Sequence, residues 1–472
     1  MNRRNFVQGF SLLTASVFLK QYSFAGAAPK FPVVRPAADK RRFRSKSVEA
    51  AITEFQKKVK DEELGWLFNN CFPSTLDTTV TYTTRDGRPD TYVITGDIDA
   101  MWLRDSSAQV WPYLQLISKD AELRQLIAGV INRQARCIIK DPYANAFYGD
   151  DTKVGEWKTD KTKMQPGIHE RKWEIDSLCY PIRLSYHYWK TTNDTKPFDA
   201  QWQQAVKTVL QTFREQQRKD NRGPYSFQRE TANATDTQPM KGYGYPIKPV
   251  GLICSAFRPS DDATLYSFLV PSNFFAVVSL RQASEMMTAV AKDAKTAQEL
   301  TTLANEVEAA LKQHAIVNHP KYGKVYAYEV DGFGSQVLMD DANVPSLIAL
   351  PYLGAVPVSD PIYQNTRKML LSEDNPFYFK GTAGAGIGGP HVGQDMIWPI
   401  GLVTQGLTST NDAEIKQCIQ TLKATHANTG FMHESFHKDD PTKFTRSWFA
   451  WANTIFGEFL WKVYQEKPQL LA

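Results

Sequence analysis

Cysteine is sparse in this chain and follows no pattern. Cys71, Cys137, Cys179, Cys254 and Cys418 lie far apart, and no C-x-x-C pair occurs. An odd, dispersed set excludes a complete disulfide framework, and apolar neighbours at each position argue against an activated thiol. Long apolar runs are missing beyond the N-terminus, so no later segment reads as a membrane-spanning helix. Strand-forming runs are few, no strong short repeat occurs, and no interdomain linker follows residue 47. The Gly-rich stretch 381–391 lacks the Lys-Ser/Thr ending and the preceding strand of a nucleotide-phosphate loop.

What is present begins with an export signal. Arg3 and Arg4 precede an apolar stretch to Leu19, Lys20 closes it, and Ala25-Gly26-Ala27 offers a small-residue cleavage site. Residues 1–27 therefore read as a signal peptide. The paired arginines suit twin-arginine export, and the protein is expected in the periplasm or secreted. No lipid-attachment cysteine follows. Residues 28–46 form a basic arm, with Lys30, Arg35, Lys40, Arg41, Arg42, Arg44 and Lys46 against Asp39, and are expected to be a solvated linker. The formal charge of +5 thus resides in the signal and the arm, and the body is net acidic. Nothing in that body resembles a nucleic-acid reader.

Residues 47–472 read as one catalytic domain, mostly helical. Trp202, Val206, Val209 and Phe213 recur at helical spacing, and Asn411 with Glu414 resembles a capping box. Further helices are expected near 47–60, 103–118, 120–139, 174–190, 272–292, 294–313, 343–350, 360–371, 395–406 and 445–464. Residues 79–84 and 91–94 around Asp86-Gly87 read as a hairpin, and 324–330 as a weaker one. Helix pairs with few strands suggest a toroid whose loops at one rim carry the chemistry. Eleven Trp, 20 Tyr and 26 Phe exceed what a core usually demands, and aromatic faces suit the apolar faces of sugars.

Four segments concentrate groups able to do chemistry. Asp99, Trp102, Arg104 and Asp105 follow the hairpin, where Arg and carboxylates can hold sugar hydroxyls and Trp can supply a stacking floor. Trp173 is a further sugar-contact candidate, while Glu174 and Asp176 read as ordinary acids of a helix's first turn. Arg258, Asp261 and Asp262 are expected at the mouth of the next long apolar helix, where its positive end and Arg258 support ionisation. The Gly-rich stretch reads as a flexible rim segment delivering His391, Gln394 and Asp395. A sugar-cleaving enzyme needs a second carboxylate facing the first, and Glu434, beside His433, is the distant candidate.

A competing motif shares that glutamate. His433-Glu434-Ser435-Phe436-His437 matches H-E-x-x-H, with Glu458 downstream as a third ligand, which would make a zinc metallopeptidase. Gly430 before it and Pro441 after it leave room for barely two helical turns, so Glu434 reads instead as a loop carboxylate.

Taken together, Asp99-Ala100-Met101-Trp102-Leu103-Arg104-Asp105-Ser106, Phe257-Arg258-Pro259-Ser260-Asp261-Asp262-Ala263, Gly393-Gln394-Asp395-Met396-Ile397-Trp398-Pro399 and Met432-His433-Glu434-Ser435-Phe436 resemble glycoside hydrolase family 125, the bacterial exo-α-1,6-mannosidases. The likeness runs over roughly residues 47–465. It implies an all-α (α/α)6 barrel with small β-hairpin insertions, and inverting hydrolysis without a metal or other cofactor. The substrate it implies is a mannan or N-glycan oligosaccharide ending in α-1,6-linked mannose. Either Asp261 or Asp262 would be the general acid and Glu434 the general base. A monomer is the default expectation.

Overall fold

In the computed structural model, residues 30–472 are described; the signal expected over residues 1–27 lies outside them. Among the described residues no helix is long and apolar enough to cross a membrane. All five cysteines are buried free thiols.

Within residues 34–472, helices of two kinds alternate, and burial tells them apart. Leu103–Val110 is buried along its whole length, and Pro399–Leu407 and Ala450–Glu466 are buried on nearly all sides. Helices of that kind stand inside a core. Ala200–Gln216, by contrast, buries Trp202, Val206, Val209 and Phe213 along one stripe and keeps a polar face, as its periodicity predicts. The inner helices follow one another as neighbours. Leu103–Val110 packs on Asp176–Thr192, which packs on Val270–Ala289; Pro399–Leu407 packs on Ala450–Glu466, which returns to Leu103–Val110. Each is backed by an outer helix, such as Ala294–His314 behind Val270–Ala289 and Asp412–Ala424 behind Pro399–Leu407.

Between Val270–Ala289 and Pro399–Leu407 in the chain, the helix expected over 343–350 does not form. Pro345 pushes the residue before it out of helical backbone, and Pro351 stops the run on its far side. The segment is a fully buried run of turns, and the Asp340 carboxylate accepts from Leu347 N at 2.8 Å and Ile348 N at 3.0 Å. It still occupies an inner position: Tyr180 Oη donates to Val344 O, and Ala342 lies against Gly401.

Three small antiparallel sheets sit at the N-terminal ends of inner helices. Met101–Trp102 pairs with Ala146–Phe147, Phe268–Leu269 with Glu329–Val330, and Met396–Ile397 with Ser435–His437. They account for several differences from the sequence reading. Helices expected from 395 and 445 begin at Pro399 and Ala450, because the preceding residues pair as strands. The weak hairpin over 324–330 splits: Gly323–Tyr326 pairs back with Ile316–His319, while Glu329–Val330 joins Phe268–Leu269. The first hairpin forms as Val80–Arg85 against Arg88–Val93, with Asp86 and Gly87 both at positive φ in a two-residue turn. The capping box is half made. Asn411 Oδ1 accepts from Glu414 N at 3.3 Å, but the Glu414 carboxylate is held by Arg367 at 2.8 Å.

The linker expected over 28–46 needs correction in its later part. Arg35 is buried, donating from Nε to Asp77 Oδ2 at 2.7 Å and from Nη2 to Glu49 Oε1 at 2.6 Å. Phe43 N donates to Leu76 O. Local acids capture these cations, so the arm is packed onto the domain. An unexpected helix follows at Glu62–Cys71, capped by the Asp61 carboxylate and burying Leu64, Leu67, Phe68 and Cys71.

Candidate active site

The candidate residues converge at one end of the inner helices. Arg104 and Asp105 lie in the first turn of Leu103–Val110, and Asp176 opens Asp176–Thr192. Asp261 and Asp262 lie on the loop before Phe268–Leu269, His391 on the loop before Met396–Ile397, and Glu434 directly before Ser435–His437.

The aspartate pair occupies a tight loop, not the mouth of a helix as expected; the next helix starts only at Val270. Arg258 N donates to Asp262 O at 2.7 Å, Asp261 N donates to Arg258 O at 2.9 Å, and Phe257 bridges to Ala263. Asp261 has φ +66°, a left-handed conformation that costs a non-glycine residue about 1–2 kcal/mol. The kink sends the two carboxylates to different partners. Asp261 Oδ1 accepts from Arg104 Nη2 at 3.2 Å and Asn145 Nδ2 at 3.3 Å, while its carbonyl accepts from Lys172 Nζ at 2.8 Å. Asp262 Oδ1 accepts from Thr235 Oγ1 at 2.9 Å and faces His391 Nδ1 at 3.4 Å; its Oδ2 is buried without a partner. The Asp261 side chain is 23% exposed, that of Asp262 only 3%. Arg258 serves neither. Its Nε donates to Glu329 Oε1 at 2.6 Å, so the cation beside the pair in sequence is not the one that supports it.

Electrostatics separate the groups further. Burial opposes ionisation of Asp261, but the Arg104 guanidinium and the Lys172 ammonium hold it well below the usual carboxylate range. Glu174 goes the other way, pushed well up by burial against the pull of Arg104. Burial also lifts Asp105 to about 6, although Arg104 beside it opposes this. For His391, burial favours the neutral ring, yet Asp262, with Glu434 and Asp261, raises it to about 9.

Glu434 is buried, and its N–H donates to Thr445 O at 3.2 Å. The strand pair Ser435–His437 and Asp440–Thr445 folds the chain back so that Arg446 Nη1 reaches Glu434 Oε1 at 3.4 Å. Arg446 is also bound to Asp97 Oδ1 at 2.5 Å and lies over the Phe449 ring. The charges of Asp262, Glu434 and Asp261 all favour the His391 cation, and of the three Asp262 is in contact with it, at 3.4 Å. The Gly-rich stretch that carries His391 is not the loose rim segment expected: Tyr378–Lys380 pairs with Ala385–Ile387, and a Cβ on Gly388 would stand 2.1 Å from Met396 O. Only glycine fits there.

The remaining candidates divide. Trp102 is buried edge-on to His169 beside the Arg104 cluster. Trp173 is corrected to a core residue: it is fully buried and its indole N–H donates to Cys254 O at 2.7 Å. Asp99 is on the exposed rim, 3.4 Å from Lys153. Gln394 is exposed, and Asp395, at φ +65°, lies 3.7 Å from Lys438. His433 stacks on Phe444 at 3.7 Å, and burial lowers it to about 4. Sequence reasoning missed Asn145, Lys172 and Arg446 and dismissed Glu174 and Asp176. A dense alternation of charge just before one helix, Glu170, Glu174 and Asp176 against Arg171 and Lys172, was the available signal.

The H-E-x-x-H segment forms no chelate. It runs into the strand Ser435–His437 instead of a helix, and in extended chain four residues span about 13 Å. Zinc needs both imidazole nitrogens within about 2.1 Å of one ion. Glu458 is bound instead to Trp111 Nε1 and Tyr352 Oη, each at 3.0 Å.

Residues 61–461 match the family described as metal-independent alpha-mannosidase, GH125. The chain belongs to this family. It is therefore a glycoside hydrolase of the α-mannosidase class. Among solved structures it is similar to a Streptococcus pneumoniae protein of the metal-independent alpha mannosidases, captured in a non-productive substrate complex with alpha-1,6-mannobiose. The two are 43% identical with a TM-score of 0.87, over 90% of this chain and 100% of that one. It is also 44% identical to the meiotically up-regulated gene 157 protein of Schizosaccharomyces pombe, over 94% of this chain and 90% of the relative. A bacterial glucoamylase complexed with acarbose, 14% identical with a TM-score of 0.51 over 79% of this chain and 50% of its own, shares the fold alone. For this GH125 member, the four motifs noted in the sequence all fall inside the matched region.

Proposed function

We propose that the protein is an exo-acting α-1,6-mannosidase that hydrolyses terminal mannose from mannan or N-glycan oligosaccharides with inversion. We infer as well that its paired helices close into an (α/α)6 toroid, and that it works after export. The observation that carries the linkage is the likeness, across the whole of the pneumococcal protein, to a relative crystallised with α-1,6-mannobiose.

In this reading Asp261 is the general acid. Its carboxylate is the more accessible of the pair, whereas Asp262 has one oxygen on Thr235 and His391 and the other sealed off. Asp262 then positions His391. As the bond from the anomeric carbon to the leaving oxygen breaks, Asp261 protonates that oxygen. Glu434 takes a proton from the water that attacks the opposite face, and β-mannose is released first. An inverting pair stands about 6.5–9.5 Å apart to admit that water. Time-resolved NMR of an α-1,6-mannobiose digest tests linkage and stereochemistry together. β-Mannose as the first product is expected; α-mannose first would defeat the inverting assignment, and an untouched disaccharide the substrate assignment.

A further inference from the structure

Arg104 stands among four carboxyls. Its Nη1 donates to Glu174 Oε2 at 2.6 Å and to Asp176 Oδ2 at 3.1 Å, Nη2 reaches Asp261 Oδ1 at 3.2 Å, and Nε lies 3.4 Å from Asp105. Glu174 and Asp176 are wholly buried. Lys172, the next cation, is held by Asp236 at 2.7 Å and by Glu170. One guanidinium does not balance that many anions away from water, and the least costly state leaves one carboxyl protonated.

Glu174 has the setting for it. Its Oε2 accepts from Arg104 and from Ser177 Oγ at 2.8 Å. Asn145 Nδ2 reaches both Glu174 Oε1, at 3.5 Å, and Asp261 Oδ1, at 3.3 Å, and Arg104 donates to both groups, so the two carboxyls stand side by side on the same donors. Two adjacent carboxyls buried on shared donors are held most cheaply with one proton between them. Glu174 is wholly buried, whereas the Asp261 side chain is 23% exposed and has the Lys172 ammonium on its carbonyl, so the shared proton resides on Glu174 in the free enzyme.

We propose that Glu174 is the positioning residue that stores the proton Asp261 delivers to the leaving oxygen. This rests on the reading of Asp261 as general acid. The one stored proton passes from Glu174 to Asp261, and as the glycosidic bond breaks with its electron pair on oxygen, Asp261 delivers that proton to the leaving oxygen, so that both carboxylates end ionised beside Arg104. The attacking water gives its proton to Glu434, and after product release Glu434 sheds that proton to solvent while one proton returns from solvent to the Glu174–Asp261 pair. The charged groups facing the pair are Arg104, Lys172, Asp176 and His391, with Asp105 and Glu170 one contact behind.

The test compares Glu174→Gln and Asp261→Asn on α-1,6-mannobiose and on 2,4-dinitrophenyl α-mannoside, whose phenolate departs without protonation. Glu174→Gln is expected to lose about tenfold or more in kcat on mannobiose but to change little on the aryl mannoside. Its alkaline limb of kcat against pH moves down by about a unit, because Asp261 alone sheds its proton earlier. Equal losses on both substrates, or an unmoved limb, overturn the proposal when Asp261→Asn still discriminates between them. An Asp261→Asn that does not discriminate overturns the assignment of Asp261 itself. If Glu174→Gln does not fold, Glu174→Asp decides: selective slowing on mannobiose supports the store, and equal slowing on both substrates refutes it.

Discussion

His391 Nδ1 faces Asp262 Oδ1 at 3.4 Å across 129 residues of sequence. The contact joins the Gly-rich stretch to the aspartate loop, and it makes His391 cationic at neutral pH. Its folded value of about 9 lies above the ordinary imidazole value near 6.5. The ion pair therefore stabilises the fold fully below about pH 6.5, and that contribution is lost as pH rises through about 9. Histidine NMR titration should find one imidazole titrating near 9, and Asp262→Asn should bring it down. An unshifted imidazole would show the contact to be unimportant.

Replacing Glu434 by Gln keeps the shape of the side chain and removes the proposed base. Turnover of α-1,6-mannobiose should fall by about 10²–10⁴-fold, the usual contribution of a positioned acid or base, while calorimetric binding of the disaccharide is retained. Near-normal turnover would remove Glu434 from the chemistry.

Chelation separates the two readings of the H-E-x-x-H segment. Exhaustive treatment with EDTA should leave mannobiose turnover unchanged, and His437→Ala should retain most of the activity because that side chain lies beyond the Glu434–Arg446 contact. Loss of activity restored by zinc would revive the peptidase-like site.

Arg35 is the anchor of the basic arm. Arg35→Met leaves the Asp77 carboxylate, already lifted by burial, without its bidentate partner. Breaking a buried pair from one side costs about 3–5 kcal/mol, and removing both charges recovers much of it. Urea unfolding should show a lowered midpoint for Arg35→Met and a partial return in Arg35→Met/Asp77→Asn.

Much of the helical layout was legible because periodicity reports burial directly. The stripe Trp202, Val206, Val209 and Phe213 predicts an outer helix, and one forms. Boundaries were misjudged where pairing partners are remote. Met396 and Ile397 are strand residues only because His437 and Phe436 lie opposite them. The segment 343–350 carries the apolar content of a helix with Pro345 near its start, and the buried Asp340 carboxylate took up its Leu347 and Ile348 amides.

The order of residues alone marked part of the candidate set: the aspartate pair, Glu434, the Arg104–Asp105 step and His391 stand in motifs whose composition is specific enough to read. Only the folded chain decided which charge meets which. Arg258, adjacent to the pair in sequence, went to Glu329, whereas Arg104, 157 residues away, went to Asp261. The physical reason is that ionisation answers to distance and burial in space, and neither follows from separation along the chain.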